Sequence, residues 1–540
     1  MTPPDEPGRE PSLDRARQDV RELRRSLQEG VAVETIATSI DGQTFDYQSS
    51  LDEPVPLGGY VVIEPPDGRR YLGQVTDRRT QTEGRGRVTV DVPQVAIGGA
   101  RVSQAEIQLE ARMVAGDGRL LARLSDGELV PTSLDDVFER AALARADGDD
   151  VAAYLDSTRR GAAALDIGYS SFAGPEVRAT MMSGGFNRHT FLCGQSGSGK
   201  TFSLGVVLER LLLETSLRMI IVDPNSDFVR INETREQASF ERTVANPIAD
   251  YPALAGKYSQ ATESVRVLRP GAADRPLQIR FSELTPHEQA TVLKLDPLQD
   301  RTEFRAFRRI AERMAETPYS LRDVRAAALA TLQEDARQIG LRVENLGLAD
   351  WDVWAEEGQT ALGDQLADDW RGLVLDVGGL GSADEKNVVA MSLLGRLWRK
   401  REERQPVLVV IDEAHNICPA EPTSELQELA TDHVVRIAAE GRKFGIYLLL
   451  STQRPQKLHP NVLSQCDNLI LMRMNSHEDV DHLQSVFSFV PPRLLEQSTG
   501  FELGQALLAG KISPTPTLAK FEGRVSPEGG GDVPSTWASG

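Results

Sequence analysis

Residues 190–202 read Thr-Phe-Leu-Cys-Gly-Gln-Ser-Gly-Ser-Gly-Lys-Thr-Phe, and this stretch decides the fold. Thr190–Cys193 is a short apolar run suited to a buried strand, and Phe202–Leu213 carries a helical pattern. Between them Gly194, Gln195, Ser196, Gly197, Ser198, Gly199, Lys200 and Thr201 fit the phosphate-cradling spacing G-x-x-x-x-G-K-[ST], in the strand–loop–helix context that the spacing requires. Glycines let backbone N–H groups turn towards a phosphate, and the start of the helix adds a favourable dipole. Lys200 is expected to reach the β- and γ-phosphates of a nucleoside triphosphate, and the Thr201 hydroxyl to ligate Mg²⁺. With Phe202, these nine positions form the candidate nucleotide-binding set.

Working outward, the next informative run is Val407-Leu408-Val409-Val410-Ile411-Asp412-Glu413-Ala414-His415. Five apolar residues make a strand, and a carboxylate at its carboxyl end can hold Mg²⁺ (Asp412) while its neighbour activates water (Glu413). Parallel strands bring such distant segments to one sheet edge. Leu448-Leu449-Leu450-Ser451 runs into Thr452-Gln453-Arg454-Pro455, where the Gln453 amide could donate to a γ-phosphate and accept from water. Arg442, in Glu440-Gly441-Arg442-Lys443-Phe444-Gly445, is the first candidate for an arginine acting on a neighbouring subunit's nucleotide, and Arg188 the second. Asp223 and Asp227 close the strand Met219–Val222, and either could support the water or the metal shell.

Short apolar runs alternating with helical patterns from about 161 to 512 imply an α/β domain with a mostly parallel sheet. Its expected core strands are Thr190–Cys193, Met219–Val222, Leu373–Val377, Val407–Ile411, Tyr447–Ser451 and Leu469–Met474. The whole chain divides into 1–30 (disordered tail, then a helix from Ser12), 31–130 (small β-barrel, from short strands separated by Asp-Gly and Gly-Gly turns) and 131–165 (helical connector). The ATPase domain covers 166–512 with a helical insertion at about 235–370, and 513–540 is an extended arm or disordered.

With 540 residues, 80 acidic against 60 basic and a net charge of −20, most of the surface should repel DNA phosphates, so any nucleic-acid contact must be local. The arginine-rich runs at 301–313 and 396–404 could contact DNA, but they read first as solvated helix faces with interleaved glutamates. Three scattered cysteines suit a reducing cytoplasm, and no apolar run approaches the length of about 18 residues that spans a membrane.

The order of these motifs, together with Asp223-Pro-Asn-Ser-Asp227-Phe and Gln465-Cys-Asp-Asn-Leu-Ile-Leu-Met-Arg-Met474, resembles HerA-like ATPases over about residues 31–510. The resemblance implies a RecA-like P-loop NTPase core behind a small N-terminal barrel. It also implies a ring, usually a hexamer, with ATP bound between subunits and double-stranded DNA through the pore, acting with a nuclease or another effector in repair, end processing or phage defence. HerA-like proteins commonly carry glutamate where Asp227 stands. A second class of reading is an ATP-dependent scaffold that assembles and switches a partner enzyme without moving along DNA. A secretion or conjugation motor is disfavoured, because no membrane anchor is evident.

Overall fold

The computed structural model describes residues 18, 21–22, 34–51, 55–97, 100–125, 128–158, 161, 163–172, 174–245 and 250–530. The expected tail and helix over 1–30 thus lie outside the described residues, apart from Gln18, Arg21 and Glu22. The chain separates into two compact units, Met1–Ser157 and Thr158–Gly540.

The first unit is antiparallel throughout. Its strands are β1 (Ile36–Ser39), β2 (Thr44–Ser49), β3 (Tyr60–Glu64), β4 (Arg70–Val75), β5 (Arg79–Ile97), β6 (Ala100–Ser125), β7 (Glu128–Val130) and β8 (Phe138–Arg145). The order β2-β1-β8-β3-β4-β6 closes on itself through β2–β6 pairing, giving a six-stranded barrel. β5 pairs along β6 from Arg79↔Ala115 to Ile97↔Ala100 as a long hairpin. Phe45, Ile63 and Tyr71 are buried on the inner face, while Leu72 points the other way and packs with Tyr60, Ala122, Val151 and Tyr154. Gly118 makes room on the inner face, since a Cβ there would lie 2.1 Å from the Phe45 ring.

The connector expected at 131–165 needs correction. Phe138–Arg145 is a barrel strand, and only Gly148–Thr158 (α1) is helical. A register shift opposite Ala37/Ser39, with Arg140 at φ 53°, interrupts the two-residue alternation that would have marked the strand. Closure requires it, because β1 and β3 would otherwise both present unpaired edges.

The second unit is built on an eleven-stranded sheet. Its strands are β9 (Ala164–Ser170), β10 (Gly174–Met182), β11 (His189–Cys193), β12 (Arg218–Asp223), β13 (Val265–Leu268), β14 (Gly372–Asp376), β15 (Val407–Ile411), β16 (Ile446–Thr452), β17 (Cys466–Met472), β18 (Gln505–Gly510) and β19 (Thr517–Phe521). They are ordered β10-β9-β19-β18-β17-β11-β16-β15-β12-β14-β13. The stretch from β17 to β13 is parallel, and the remaining four strands form an antiparallel wing. The six expected core strands lie side by side at its centre. Helix α2 (Lys200–Glu214) packs on this sheet through Leu204, Val207, Leu208 and Leu211.

Two further expectations change. The insertion at 235–370 is mostly helical, but Val265–Leu268 extends the parallel sheet. The segment from 513 is no free arm as far as residue 530: Thr517–Phe521 pairs with β18 and β9, and Arg524, Val525 and Ser526 are fully buried. Residues 531–540 lie outside the described residues. The second arginine-rich run is spent on structure, with Arg396 on Glu283, Arg399 on Glu288 and Arg401 over the Trp398 ring. The three cysteines are buried and free, and no helix among the described residues is long and apolar enough to cross a membrane.

Candidate nucleotide site

The site lies at the carboxyl edge of the parallel strands. β11 ends at Cys193, the loop turns over Gly194–Gly199, and α2 starts at Lys200. Gly197 and Gly199 hold left-handed conformations, φ 73° and 90°, that other residues adopt only with strain. The loop is pinned from outside. The Gln195 amide donates to the Arg473 carbonyl (3.0 Å), the Gly504 amide to the Ser198 carbonyl (2.8 Å), and Arg473 Nη2 to the Gly197 carbonyl (3.1 Å). Ser196 and Gly197 face solvent, while Phe202 packs against the core beneath.

Lys200 brings the distant motifs together. Its Nζ lies 2.8 Å from Asp412 Oδ1, 2.9 Å from Glu413 Oε1 and 3.2 Å from Ser451 Oγ. Burial opposes the charge on this ammonium, but the Asp412 and Glu413 carboxylates outweigh it and hold the pKa above the usual lysine value. Asp412 Oδ2 and Glu413 Oε2 are buried without a hydrogen-bond partner, an arrangement that costs free energy unless a donor or cation meets it. Glu413 sits at φ 44°, a left-handed conformation that costs a non-glycine residue about 1–2 kcal/mol. His415 Nδ1 is 2.9 Å from Thr452 Oγ1 and 3.3 Å from Glu413 Oε2, without a hydrogen bond to the latter.

Asp223 and Asp227, left open by the sequence, take different positions. The Asp223 carboxylate accepts the N–H groups of Asn225 (3.3 Å), Asp227 (3.0 Å) and Phe228 (2.8 Å), so it builds the turn. Burial pushes its pKa up to about 7. Asp227 instead points at the nucleotide loop, with Oδ2 3.5 Å from Thr201 Oγ1. Burial, then the nearby Asp412 charge, raises its pKa.

Gln453 follows β16, the strand lying between β11 and β15, so it stands between the two motifs. Arg442 and Arg188 lie elsewhere. Arg442 Nη1 (2.9 Å) and Arg188 Nε (3.4 Å) share Asp467 Oδ2, at the amino ends of β16, β11 and β17. A five-residue strand is about 17 Å long, so neither guanidinium reaches the nucleotide loop of its own chain.

Several site residues escaped the sequence reading. Ser451 lies at the end of a strand already singled out, and Arg473 directly follows β17. Gly504, Arg524 and Gly529 carry no motif.

Residues 167–349 match the family model for the central domain of helicase HerA. A DNA double-strand break repair helicase HerA from Sulfolobus acidocaldarius is 22% identical over 511 residues, covering 91% of this chain and 94% of the relative. A probable helicase from Methanocaldococcus jannaschii is 34% identical over 131 residues, which are 24% of this chain and only 25% of the relative's length. Among solved structures, VirB4 of Thermoanaerobacter pseudethanolicus aligns over 70% of this chain and 98% of its own, with a TM-score of 0.44 and 16% identity.

Proposed function

We propose, on the premise that this chain is a HerA-like P-loop ATPase, that it couples ATP hydrolysis to movement along double-stranded DNA as an oligomeric ring. The ring is most simply a hexamer, working with a nuclease or other effector in end processing, repair or phage defence. The observation that carries the reading is the meeting of Lys200, Asp412 and Glu413 within 3 Å at one sheet edge, while Arg188 and Arg442 stand at the opposite edge. The repair-helicase name of the full-length Sulfolobus relative supports DNA as the track.

The nucleotide loop and Lys200 bind the phosphates. Thr201 and Asp412 would hold Mg²⁺, and the unpartnered Asp412 Oδ2 supports that fit. Among the described residues no cluster of three His, Cys, Asp or Glu is placed to hold a metal. Mg²⁺ suits such a site, because it takes one or two protein oxygens and completes its shell with phosphate and water. When bound, it neutralises charge on the phosphate oxygens. Glu413, its Oε2 without a hydrogen bond, orients the attacking water and accepts its proton. Gln453 positions that water, and Arg442 and Arg188 of an adjoining copy stabilise the charge that builds in the transition state.

Glu413→Gln tests the assignment. It should keep ATP binding and lower turnover by at least about a hundredfold, the lower end for losing a positioned general base. A variant that turns over within a few-fold of the parent removes Glu413 from the mechanism.

A further inference from the structure

Arg524 is the largest fully buried side chain among the described residues, with no exposed surface. A buried guanidinium is costly unless every donor finds a partner, so its partners show what it holds. Nη1 donates to the Thr201 carbonyl (3.2 Å) and to Glu528 Oε1 (3.0 Å), Nη2 to the Asp227 carbonyl (3.5 Å), and Nε to Ser526 Oγ (3.5 Å). Glu209 Oε1 lies 3.9 Å from Nε. The Glu209 carboxylate also accepts the Val525 and Ser526 amides, each at 2.7 Å, which ties the same segment to α2.

The guanidinium therefore bridges the first turn of α2 and the turn after β12. These two backbone segments carry Thr201 Oγ1 and Asp227 Oδ2, 3.5 Å apart. Gly205 opens the way in, because a Cβ there would lie 2.5 Å from Arg524 Nε. Gly529 donates its amide to the Asp227 carbonyl at 3.0 Å and holds the turn from a second side.

We infer that Arg524 is a positioning residue for the metal–nucleotide site, fixing Thr201 and Asp227 through their carbonyls so that the Thr201 hydroxyl faces Mg²⁺ at one spacing. The inference rests on the nucleotide reading above and deepens it. The C-terminal segment from Glu522 to Gly530 then belongs to the site's machinery.

The test uses the full chain, a fluorescent ATP analogue and a Mg²⁺ titration of its binding. Arg524→Lys keeps a cation for Glu209 but lacks the planar fork that spans two carbonyls. It should raise the Mg²⁺ needed for half-maximal binding about tenfold, with binding restored at saturating metal. Gly205→Ala keeps every charge and displaces the guanidinium, so it should shift the requirement in the same direction. A residue that only staples the tail would lower the melting temperature without moving the metal requirement. If either folded variant needs Mg²⁺ within twofold of the parent, or if the parent's binding is indifferent to Mg²⁺, the positioning role is overturned. A parent that binds no analogue at all overturns the nucleotide reading beneath it.

Discussion

His189, which opens β11 beside Arg188, shows how the fold sets the charge of a single residue. Its Nδ1 accepts the Leu448 amide at 3.0 Å, and burial, helped by Arg442 and Arg188, pushes its pKa down to about 4. The folded chain keeps this ring neutral, whereas the unfolded chain protonates it near pH 6.5. Below about pH 6.5 the unfolded state binds the extra proton, so stability falls as pH drops towards 4. At pH 5 the loss from this residue is about 2 kcal/mol, from roughly 1.5 pH units at 1.4 kcal/mol each. His415, also held low by burial, adds a loss of the same sign. Asp223, its pKa pushed up to about 7 by burial, works in the opposite sense over this range, because the folded chain takes up its proton first. His189 is therefore read by difference, and between pH 7 and pH 5 the urea midpoint of His189→Gln should rise relative to the parent's. An unchanged slope in the variant would show that the ring is protonated in the fold. At this scale the motif positions were legible, because Lys200, Asp412 and Glu413 announce themselves by local spacing. The division of labour between Asp223 and Asp227 was not, since it depends on which carboxylate the turn consumes.

Among the elements, the sheet puts Arg188 and Arg442 at the edge opposite Lys200, Asp412 and Glu413. Arg188 and Arg442 sit on the amino side of β11 and β16, and the nucleotide loop lies on the carboxyl side. If they serve a neighbouring copy, a Glu413→Gln subunit still offers good arginines, and an Arg442→Ala subunit still offers a good site. Each variant alone should fall at least about a hundredfold, given that arginine fingers supply 10³–10⁵. Equal mixtures, exchanged before assay, should recover activity at about one interface in four, the fraction that pairs an intact site with intact arginines. Mixtures no more active than the sum of the separate variants would place Arg442 outside the mechanism. The same sheet explains what the sequence could reveal of the fold. β11, β12, β14, β15, β16 and β17 are covered on both faces and so read as continuous apolar runs, as in the fully buried Val407–Ile411. β9 and β10 pair with register shifts, and Thr517–Phe521 buries only alternate residues. Such strands look like loops until their neighbours are known. Arg524 was the least legible residue, because Gly523-Arg-Val-Ser-Pro-Glu-Gly-Gly530 has the composition of a flexible tail and is fixed only by distant Glu209, Thr201 and Asp227.

For the whole molecule the governing quantity is charge. A net −20 repels a polyanion at long range, so a DNA-tracking ring must gather its cations locally. The exposed Arg301, Arg305, Arg308, Arg309 and Arg313 show that cationic faces exist within the acidic whole. Binding that neutralises about four phosphates loses about a hundredfold in affinity between 50 and 200 mM salt. Long duplex DNA should therefore stimulate ATP hydrolysis several-fold at low salt, with the DNA concentration for half-maximal stimulation rising steeply as salt is added. ATP hydrolysis in the absence of DNA should change little over the same range, because Lys200, Asp412 and Glu413 are buried from the screening ions. A rate indifferent to duplex DNA at every salt, yet raised by a co-purifying enzyme, would replace the translocase with the switching scaffold. Sedimentation in the presence of ATP separates a third outcome. A chain that stays monomeric at full rate cannot be using arginines from a neighbour, and both ring readings would then fall together.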